Sequence, residues 1–314
     1  MYNNSTLMKK VLSLILVSLF FLPFLSCKTN KKEMASLKKE VVAYNYTPAK
    51  PVNGKLKGIV ELGMTGFNLL IVEVDEVKNW ELKEIEYGSS LISEGMTNTS
   101  QVNLKLKEYI EKMMSKGIGT KDIHFVVSSG AIKEDLTQVI LKELENYGYD
   151  LHVVTPKEEA KYALQAYLPE EFKETSFVVD IGSGNTKFSY REGDQVVTKE
   201  SYGSKYYQKG VEDIDVYNQV KEIASTIPTN KRKKCFLIGG APHEIASTVM
   251  KGDEKYISLS TDVSEFEVAV DKKGKKAQSG LNIYKAILDA TSCEQVIFIN
   301  DGNFIVGYLL ELPY

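Results

Sequence analysis

The feature that most constrains the fold of this chain is a phrase that occurs twice in it. Residues 58–71 read GIVELGMTGFNLLI, and residues 177–188 read FVVDIGSGNTKF. Each copy has an apolar strand that ends near a carboxylate, Glu61 or Asp180, followed by a glycine-containing turn and a second strand. One such turn is ordinary, because glycine and aspartate are frequent in turns. Two copies that start 119 residues apart predict two duplicated halves that flank a cleft.

The rest of the chain alternates apolar strands with amphipathic helices, which is the pattern of an α/β protein. A third glycine-containing phrase, at residues 236–246, should lead from a strand into a helix that begins near Pro242. Helical periodicity predicts helices at residues 102–116, 136–147, 157–167 and 216–226. The sequence predicts strands at residues 59–62, 68–74, 124–128, 151–154, 177–181, 236–238 and 296–300.

The N-terminal segment is typical of an exported protein. Residues 8–26 read MKKVLSLILVSLFFLPFLS, a basic start followed by an apolar run, which predicts a signal peptide over residues 1–26. Residues 24–27, FLSC, resemble a bacterial lipobox, so we expect a lipid on Cys27 and a chain anchored to a bacterial membrane, facing the periplasm. The alternative is an uncut membrane anchor, although the run is shorter than the ~20 residues that a spanning helix needs. Residues 27–54 are lysine-rich with two prolines and predict a flexible tether.

Composition excludes several classes of protein. With 314 residues, of which 43% are hydrophobic, the chain can bury a large core. Its three cysteines and three histidines are scattered singly, which argues against a disulfide scaffold or a zinc site. From Gly58 onward the chain has 29 basic and 40 acidic residues, whereas the tether is basic. This distribution suits an anionic lipid surface and argues against a nucleic acid partner.

The order of these phrases resembles the actin, hexokinase and Hsp70 superfamily, and within it the exopolyphosphatase and guanosine pentaphosphate phosphatase family. Residues 178–186 resemble that family's second phosphate loop, and residues 58–71 resemble its first. Residues 153–161, VVTPKEEAK, are similar to its Ser-Gly-x-Glu-Glu-Ala segment. The resemblance implies an α/β fold of two duplicated ribonuclease-H-like (actin-like ATPase) domains flanking a cleft, at residues 55–170 and 171–314.

The resemblance also implies an activity, the hydrolysis of a terminal phosphoanhydride with Mg²⁺. By position, Glu159 would be the general base, and Asp180 and Glu61 would be the metal ligands. The local sequence leaves a second reading of the acidic pair open, because Thr155 and Glu158 predict a capping box and Glu159 could be an exposed first-turn acid. The phosphate-binding residues that the resemblance implies are Gly63, Thr65, Gly66, Gly182, Ser183, Gly184, Asn185 and Thr186.

One substitution bears directly on that chemistry. Lys187 stands where the family has a glutamate, so a negative charge beside the metal has become a positive one. Lys187 could repel magnesium, contact phosphate directly, or face outward from its strand.

Three functions remain open from the sequence. The first is a membrane-tethered, exopolyphosphatase-like hydrolase that acts on polyphosphate or another phosphate-containing molecule. The second is a catalytically inactive anion-binding or scaffold lipoprotein of the same fold. The third is a sugar or acetate kinase of the same superfamily. A homodimer is compatible with all three.

Overall fold

The structure, a computed structural model, describes residues 41–63, 66–88, 99–132 and 135–314. The predicted signal peptide, the lipid attachment site Cys27 and the first part of the tether lie outside the described residues, and so does Thr65 of the first turn. Within the described ranges, no helix has both the length and the apolar character needed to cross a membrane.

The first sheet has five strands in the order β3-β2-β1-β4-β5. Strands β1 to β3 form an antiparallel meander, and β4 and β5 continue the sheet parallel to β1. The buried faces of β1 and β2 explain this pairing, because both strands have long apolar runs with few polar interruptions. The strands are β1 Lys55–Gly63, β2 Gly66–Val74, β3 Trp80–Tyr87, β4 Ile123–Val127 and β5 Leu151–Val153.

The second sheet repeats this plan. Its order is β10-β11-β9-β6-β7-β8, in which β8-β7-β6-β9-β11 reproduces the first sheet and β10 is an added antiparallel edge strand. The predicted α/β fold with two duplicated halves is therefore confirmed. The strands are β6 Ser176–Ile181, β7 Asn185–Glu192, β8 Gln195–Tyr202, β9 Lys234–Ile238, β10 Tyr256–Leu259 and β11 Gln295–Ile299.

Three layers of helix surround the two sheets. Helices α1 and α2 cover one face of the first sheet, α4 and α7 cover one face of the second, and α3 and α8 lie between the sheets. The middle layer carries apolar residues from both sheets, so it joins the two halves. The helices are α1 Thr99–Ser115, α2 Asp135–Asn146, α3 Pro156–Tyr167, α4 Asp213–Ser225, α5 Gly240–Ala246, α6 Ser264–Asp271, α7 Lys275–Thr291 and α8 Ile305–Glu311.

The middle layer depends on one glycine. A Cβ atom at Gly307 would lie 1.9 Å from the backbone oxygen of Tyr162, so α8 can approach α3 this closely only without a side chain there. Tyr167 at the end of α3 also fixes the loop before α8, because its hydroxyl accepts from the Asn303 amide at 2.8 Å and donates to the Asn303 carbonyl at 2.9 Å. These contacts hold Asn303 over the cleft.

The chain crosses back from the second half to the first near its end. Lys57 Nζ donates to the carbonyl of Pro313 at 2.7 Å, and Lys78 Nζ donates to that of Leu312 at 2.6 Å. The contacts join residues 41–314 into one unit. The domain boundary at residue 170 stays a prediction.

Residues 41–54 fall within the predicted tether, but the structure places them against the second half. The ring of Tyr44 meets the rings of Phe236 and Tyr256 edge-on, at centroid distances of 5.8 and 5.4 Å. Gln295 Nε2 donates to the carbonyl of Val42 at 2.8 Å. The aromatic contacts of Tyr44 therefore hold this end of the segment on the folded body, because removing ring surface from water is favourable.

Candidate functional site

A cleft of about 570 Å³ lies where the ends of the two sheets face each other. Glu61, Glu159 and Asp180 all line it, so the three carboxylates that the sequence singles out converge on one cavity. The lining also includes five of the predicted phosphate-binding positions, which are Gly63, Gly182, Ser183, Gly184 and Asn185.

Glu159 reaches the cleft from the first turn of α3. That helix begins with the predicted capping box, in which Glu158 Oε2 accepts from the Thr155 amide at 2.8 Å and Thr155 Oγ1 accepts from the Glu158 amide at 3.2 Å. Glu159 is free of this capping role and is 1% exposed. The alternative of an exposed first-turn acid at Glu159 is therefore wrong. Its Oε1 accepts from the backbone amide of Ser129 at 2.5 Å.

Lys187 occupies the centre of this group of acids. It lies on β7 directly across from Asp180 on β6, and only 5% of it is exposed. Its ammonium donates to Glu159 Oε2 at 2.5 Å and to Asp180 Oδ2 at 2.9 Å. Burial lowers the pKa of Lys187, but the charges of Asp180 and Glu159 outweigh it and raise that pKa above its ordinary value. Lys187 is thus a buried cation between two carboxylates and does not face outward from its strand.

Register could have revealed this position from the sequence. If Ser183 and Gly184 form the tip of the hairpin, Asp180 and Lys187 are cross-strand partners on one face, and Thr186 points to the other face. The structure has this arrangement, so Thr186 is fully buried and its hydroxyl donates to the carbonyl of Tyr202 at 2.7 Å. The hydroxyl of Thr186 therefore serves the fold, and the phosphate-binding role of Thr186 stays a prediction.

Two other predicted phosphate-binding residues also have structural contacts. Asn185 Nδ2 donates to Glu200 Oε1 on the neighbouring strand at 2.9 Å, although Asn185 still lines the cleft. Gly66 starts β2 with a φ of 130°, a conformation that favours glycine, and pairs with Gly63. Gly66 is not among the described residues that line the cleft, so the conformation of the turn is sufficient to explain why a glycine stands there.

Glu61 has neutral partners, unlike Asp180. Its Oε2 accepts from Asn68 Nδ2 at 2.9 Å and from Asn303 Nδ2 at 2.6 Å. Burial raises the pKa of Glu61, the two asparagine contacts oppose that rise, and the nearby charges of Glu159 and Asp180 add to it. Sequence reasoning missed Asn303, which comes from a loop 242 residues further along the chain.

The opposite wall of the cleft carries residues that the sequence did not single out. Lys276, at the start of α7, lines the cleft beside Gly240, where its Nζ lies 3.2 Å from the position a Cβ atom would take. His243 and Glu244 of α5 also line this wall. Across the cleft mouth, the hydroxyl of Tyr87 donates to Asp301 Oδ1 at 2.8 Å.

These residues do not fit the magnesium ion that the family resemblance implies. Magnesium needs near-octahedral oxygen ligands at about 2.0–2.1 Å. The ammonium of Lys187 lies between Glu159 and Asp180, where it uses their oxygens and adds a positive charge that repels a divalent cation. In the described part of the chain, no group of three His, Cys, Asp or Glu side chains is placed to hold a metal.

Sequence comparisons leave the chain without a family assignment. No family model matches it. No curated protein matches it either.

Comparison with solved structures is informative about the fold. An exopolyphosphatase from Cytophaga hutchinsonii superposes with a TM-score of 0.64 at 13% identity, covering 81% of this chain and 96% of that one. A PPX-GPPA enzyme from Aquifex aeolicus gives 0.63 at 13% identity, covering 82% and 100%. An exopolyphosphatase-like protein gives 0.62 at 14% identity, covering 83% and 98%. The chain therefore has the exopolyphosphatase-like, actin-type fold that its sequence resemblance implies.

Proposed function

We propose that this protein binds a small phosphate-containing molecule in its cleft and does not hydrolyse it by a magnesium-assisted route. The observation that carries the proposal is the ammonium of Lys187, which lies within hydrogen-bond distance of both Glu159 and Asp180. This is the second of the functions considered from the sequence. The first, a phosphoanhydride hydrolase, requires Glu159 to act as a base.

Glu159 is poorly arranged for that task. A general base must accept a proton from water, so strong hydrogen bonds to its ionised form weaken it as a base. One Glu159 oxygen accepts from the Ser129 amide and the other accepts from the Lys187 ammonium. Both contacts stabilise the ionised carboxylate, because a hydrogen bond from a cation is among the strongest that proteins make. Breaking them adds to the barrier of any step in which Glu159 takes up a proton.

The phosphate part of the proposal is supported by the turn between β6 and β7. Gly182, Ser183 and Gly184 line the cleft, and glycines there allow an anion to approach the backbone closely. The cavity volume of about 570 Å³ is in the range of small-molecule sites. One similar solved structure is described as an exopolyphosphatase and another as an exopolyphosphatase-like protein, and this supports a phosphate-containing ligand here.

The proposal has two separable readouts, binding and turnover. The full chain is purified, and its melting temperature is measured with inorganic phosphate and tripolyphosphate, in EDTA and in Mg²⁺. We expect at least one of these anions to raise the melting temperature equally in both conditions, because ligand binding stabilises the native state. In Mg²⁺, phosphate release from tripolyphosphate and ATP should not exceed that of the Glu159→Gln variant.

Magnesium-dependent release that the Glu159→Gln variant lacks would replace the binding proposal with the hydrolase. The absence of any shift with either anion would leave the cleft without a phosphate ligand.

We further propose that the protein is exported and held on a membrane through a lipid on Cys27. The motif at residues 24–27 supports this assignment. Cells grown with radiolabelled palmitate should label the wild-type protein, and a Cys27→Ser variant should lose both the label and membrane fractionation. Labelling that survives this substitution would place the anchor elsewhere.

A further inference from the structure

The cleft has two sides of opposite charge. Its carboxylate floor, which we define as Glu61, Glu159, Asp180 and Lys187, contains three acids and one ammonium. All four residues are at most 7% exposed. The floor is therefore a poor place for a phosphate dianion, because three acids face a single cation at low local dielectric.

The other side carries Lys276. Together with Lys205, which is not itself among the lining residues, it forms what we define as the lysine pair. Lys276 lies on the cleft wall beside Gly240. Lys205 lies directly behind the glycine turn, where its backbone amide donates to the carbonyl of Ser183 at 3.0 Å. The turn and α7 have a fixed relation, because Asn282 of α7 donates to the hydroxyl of Tyr206, the residue next to Lys205, at 3.2 Å.

Lys205 and Lys276 lie on two elements that pack against each other, the segment at Tyr206 and α7. Burial lowers the pKa of Lys205, and the charge of Lys276 lowers it further. Neither lysine forms an ion pair with any carboxylate in the described ranges, whereas Glu244 on the same wall pairs with Lys273 at 3.3 Å. Two like charges held together without a counterion on rigid elements favour an anion from outside the chain.

The floor offers a complementary feature. Asn68 and Asn303 both donate to Oε2 of Glu61, and no donor among the described residues is found at its Oε1. Glu61 therefore presents an acceptor that suits a hydroxyl group on the ligand.

We infer that Lys276 and Lys205, with the turn at residues 182–185, form the phosphate subsite of this cleft. The ligand is a small phosphate monoester whose hydroxyl-bearing part faces the carboxylate floor. This inference rests on the proposed binding function and deepens it by naming the subsite and the ligand class. It argues against a long polyphosphate as the ligand, because the successive negative charges of a polyphosphate would lie along the acidic carboxylate floor.

Calorimetric titration of the full chain tests the subsite with three probes: inorganic phosphate, glycerol 3-phosphate and tripolyphosphate. Lys276→Gln should raise the Kd for both phosphate and glycerol 3-phosphate about tenfold, the loss expected for one charge-assisted contact. Lys205→Gln should raise it about fivefold. Lys276→Arg should restore most of the affinity, because it keeps the charge.

Matched controls come from neighbouring lysines. Lys275 adjoins Lys276 on α7 and Lys209 follows Lys205 by one turn, and both are exposed. Lys275→Gln and Lys209→Gln should change each Kd by less than about twofold, since single exposed charges are well screened. Glu61→Gln should weaken glycerol 3-phosphate more than inorganic phosphate, because only the former has a hydroxyl-bearing part.

The outcomes separate the two levels of the proposal. If the wild-type protein binds none of the three probes, the proposed binding function fails and the subsite fails with it. If it binds phosphate and a double variant, Lys205→Gln with Lys276→Gln, binds equally well, the subsite alone is overturned. Tighter binding of tripolyphosphate than of glycerol 3-phosphate would overturn the ligand class.

Discussion

The two hairpins at the cleft have the same geometry and opposite electrostatics. In the first half, Glu61 on β1 lies across from Asn68 on β2, and in the second half Asp180 on β6 lies across from Lys187 on β7. The donor reaches the carboxylate at 2.9 Å in both hairpins. Duplication has thus kept the cross-strand pair and changed the partner from a neutral amide to an ammonium. Backbone register therefore fixes where a cross-strand pair lies, while one side chain decides the charge of that pair.

The difference affects what each carboxylate can do. Burial raises the pKa of both Glu61 and Asp180, and the contacts that oppose this rise come from neutral asparagines at Glu61 but from the charge of Lys187 at Asp180. Lys187 instead supplies Asp180 and Glu159 with a counterion that belongs to the chain. The second hairpin is therefore neutralised from within, at the place where the family resemblance implies an external cation.

The largest expected effect comes from removing that internal cation. Lys187→Met keeps most of the side-chain volume but leaves Glu159 and Asp180 buried without their shared counterion. We expect the free energy of unfolding in urea at pH 7 to fall by about 3–5 kcal/mol, the usual result of breaking a buried ion pair. The matched control is Lys199→Met on the neighbouring strand, where the lysine is exposed and the loss should stay under about 0.5 kcal/mol. Equal losses in the two variants would show that the ion pairs of Lys187 do not stabilise the fold.

A smaller effect is expected from the corresponding change in the first hairpin. Asn68→Ala removes one of two neutral donors to Glu61, and Asn303 keeps its contact at 2.6 Å. We expect urea unfolding at pH 7 to show a loss of about 1–2 kcal/mol, as for a single buried hydrogen bond. A loss as large as that of Lys187→Met would remove the distinction between the neutral and the charged pair.

The local sequence is sufficient to predict part of this site. The repeated phrase identifies both hairpins and both carboxylates, because alternating apolar residues and glycine turns are local signals. Register places Lys187 opposite Asp180 once the two-residue tip of the hairpin is recognised. Substitution relative to the family marks Lys187 as unusual, but it does not show what the ammonium contacts.

The remaining parts of the site depend on contacts between residues far apart in sequence. Glu159 meets Lys187 only because α3 packs between the two sheets, and Asn303 meets Glu61 only because α8 approaches α3 at Gly307. Lys205 and Lys276 are 71 positions apart and lie in a turn and a helix that have no shared pattern. No local sequence pattern predicts these contacts, because they arise from the packing of the middle layer and of α7.

A divalent cation should be able to take the place of the Lys187 ammonium at the second hairpin. In the Lys187→Met variant, Mn²⁺ should partly replace the lost positive charge. At a Mn²⁺ concentration several times its Kd for the variant, we expect the free energy of unfolding to rise by about 1 kcal/mol. Wild-type protein is the control and should show no comparable rise, because Lys187 already neutralises the two carboxylates. Equal stabilisation of both proteins would mean that the ammonium does not compete with the metal.

The smallest effect should be the pH dependence that Glu61 contributes in the first hairpin, although burial raises the pKa of Asp180 in the second hairpin as well. Burial raises the pKa of Glu61 above its ordinary value of 4.5, so above that pH the native state retains a proton that the unfolded chain has lost. Wild-type stability should therefore fall as the pH rises from 4.5 through the native pKa of Glu61. Glu61→Gln stays neutral throughout, so its stability relative to wild type should rise with pH over this range. Urea unfolding between pH 4 and pH 8 measures the difference, with the exposed Glu145→Gln as the control. If the difference between Glu61→Gln and wild type does not change with pH, then Asn68 and Asn303 fully offset the burial of Glu61, and the neutral pair is as well compensated as the charged one.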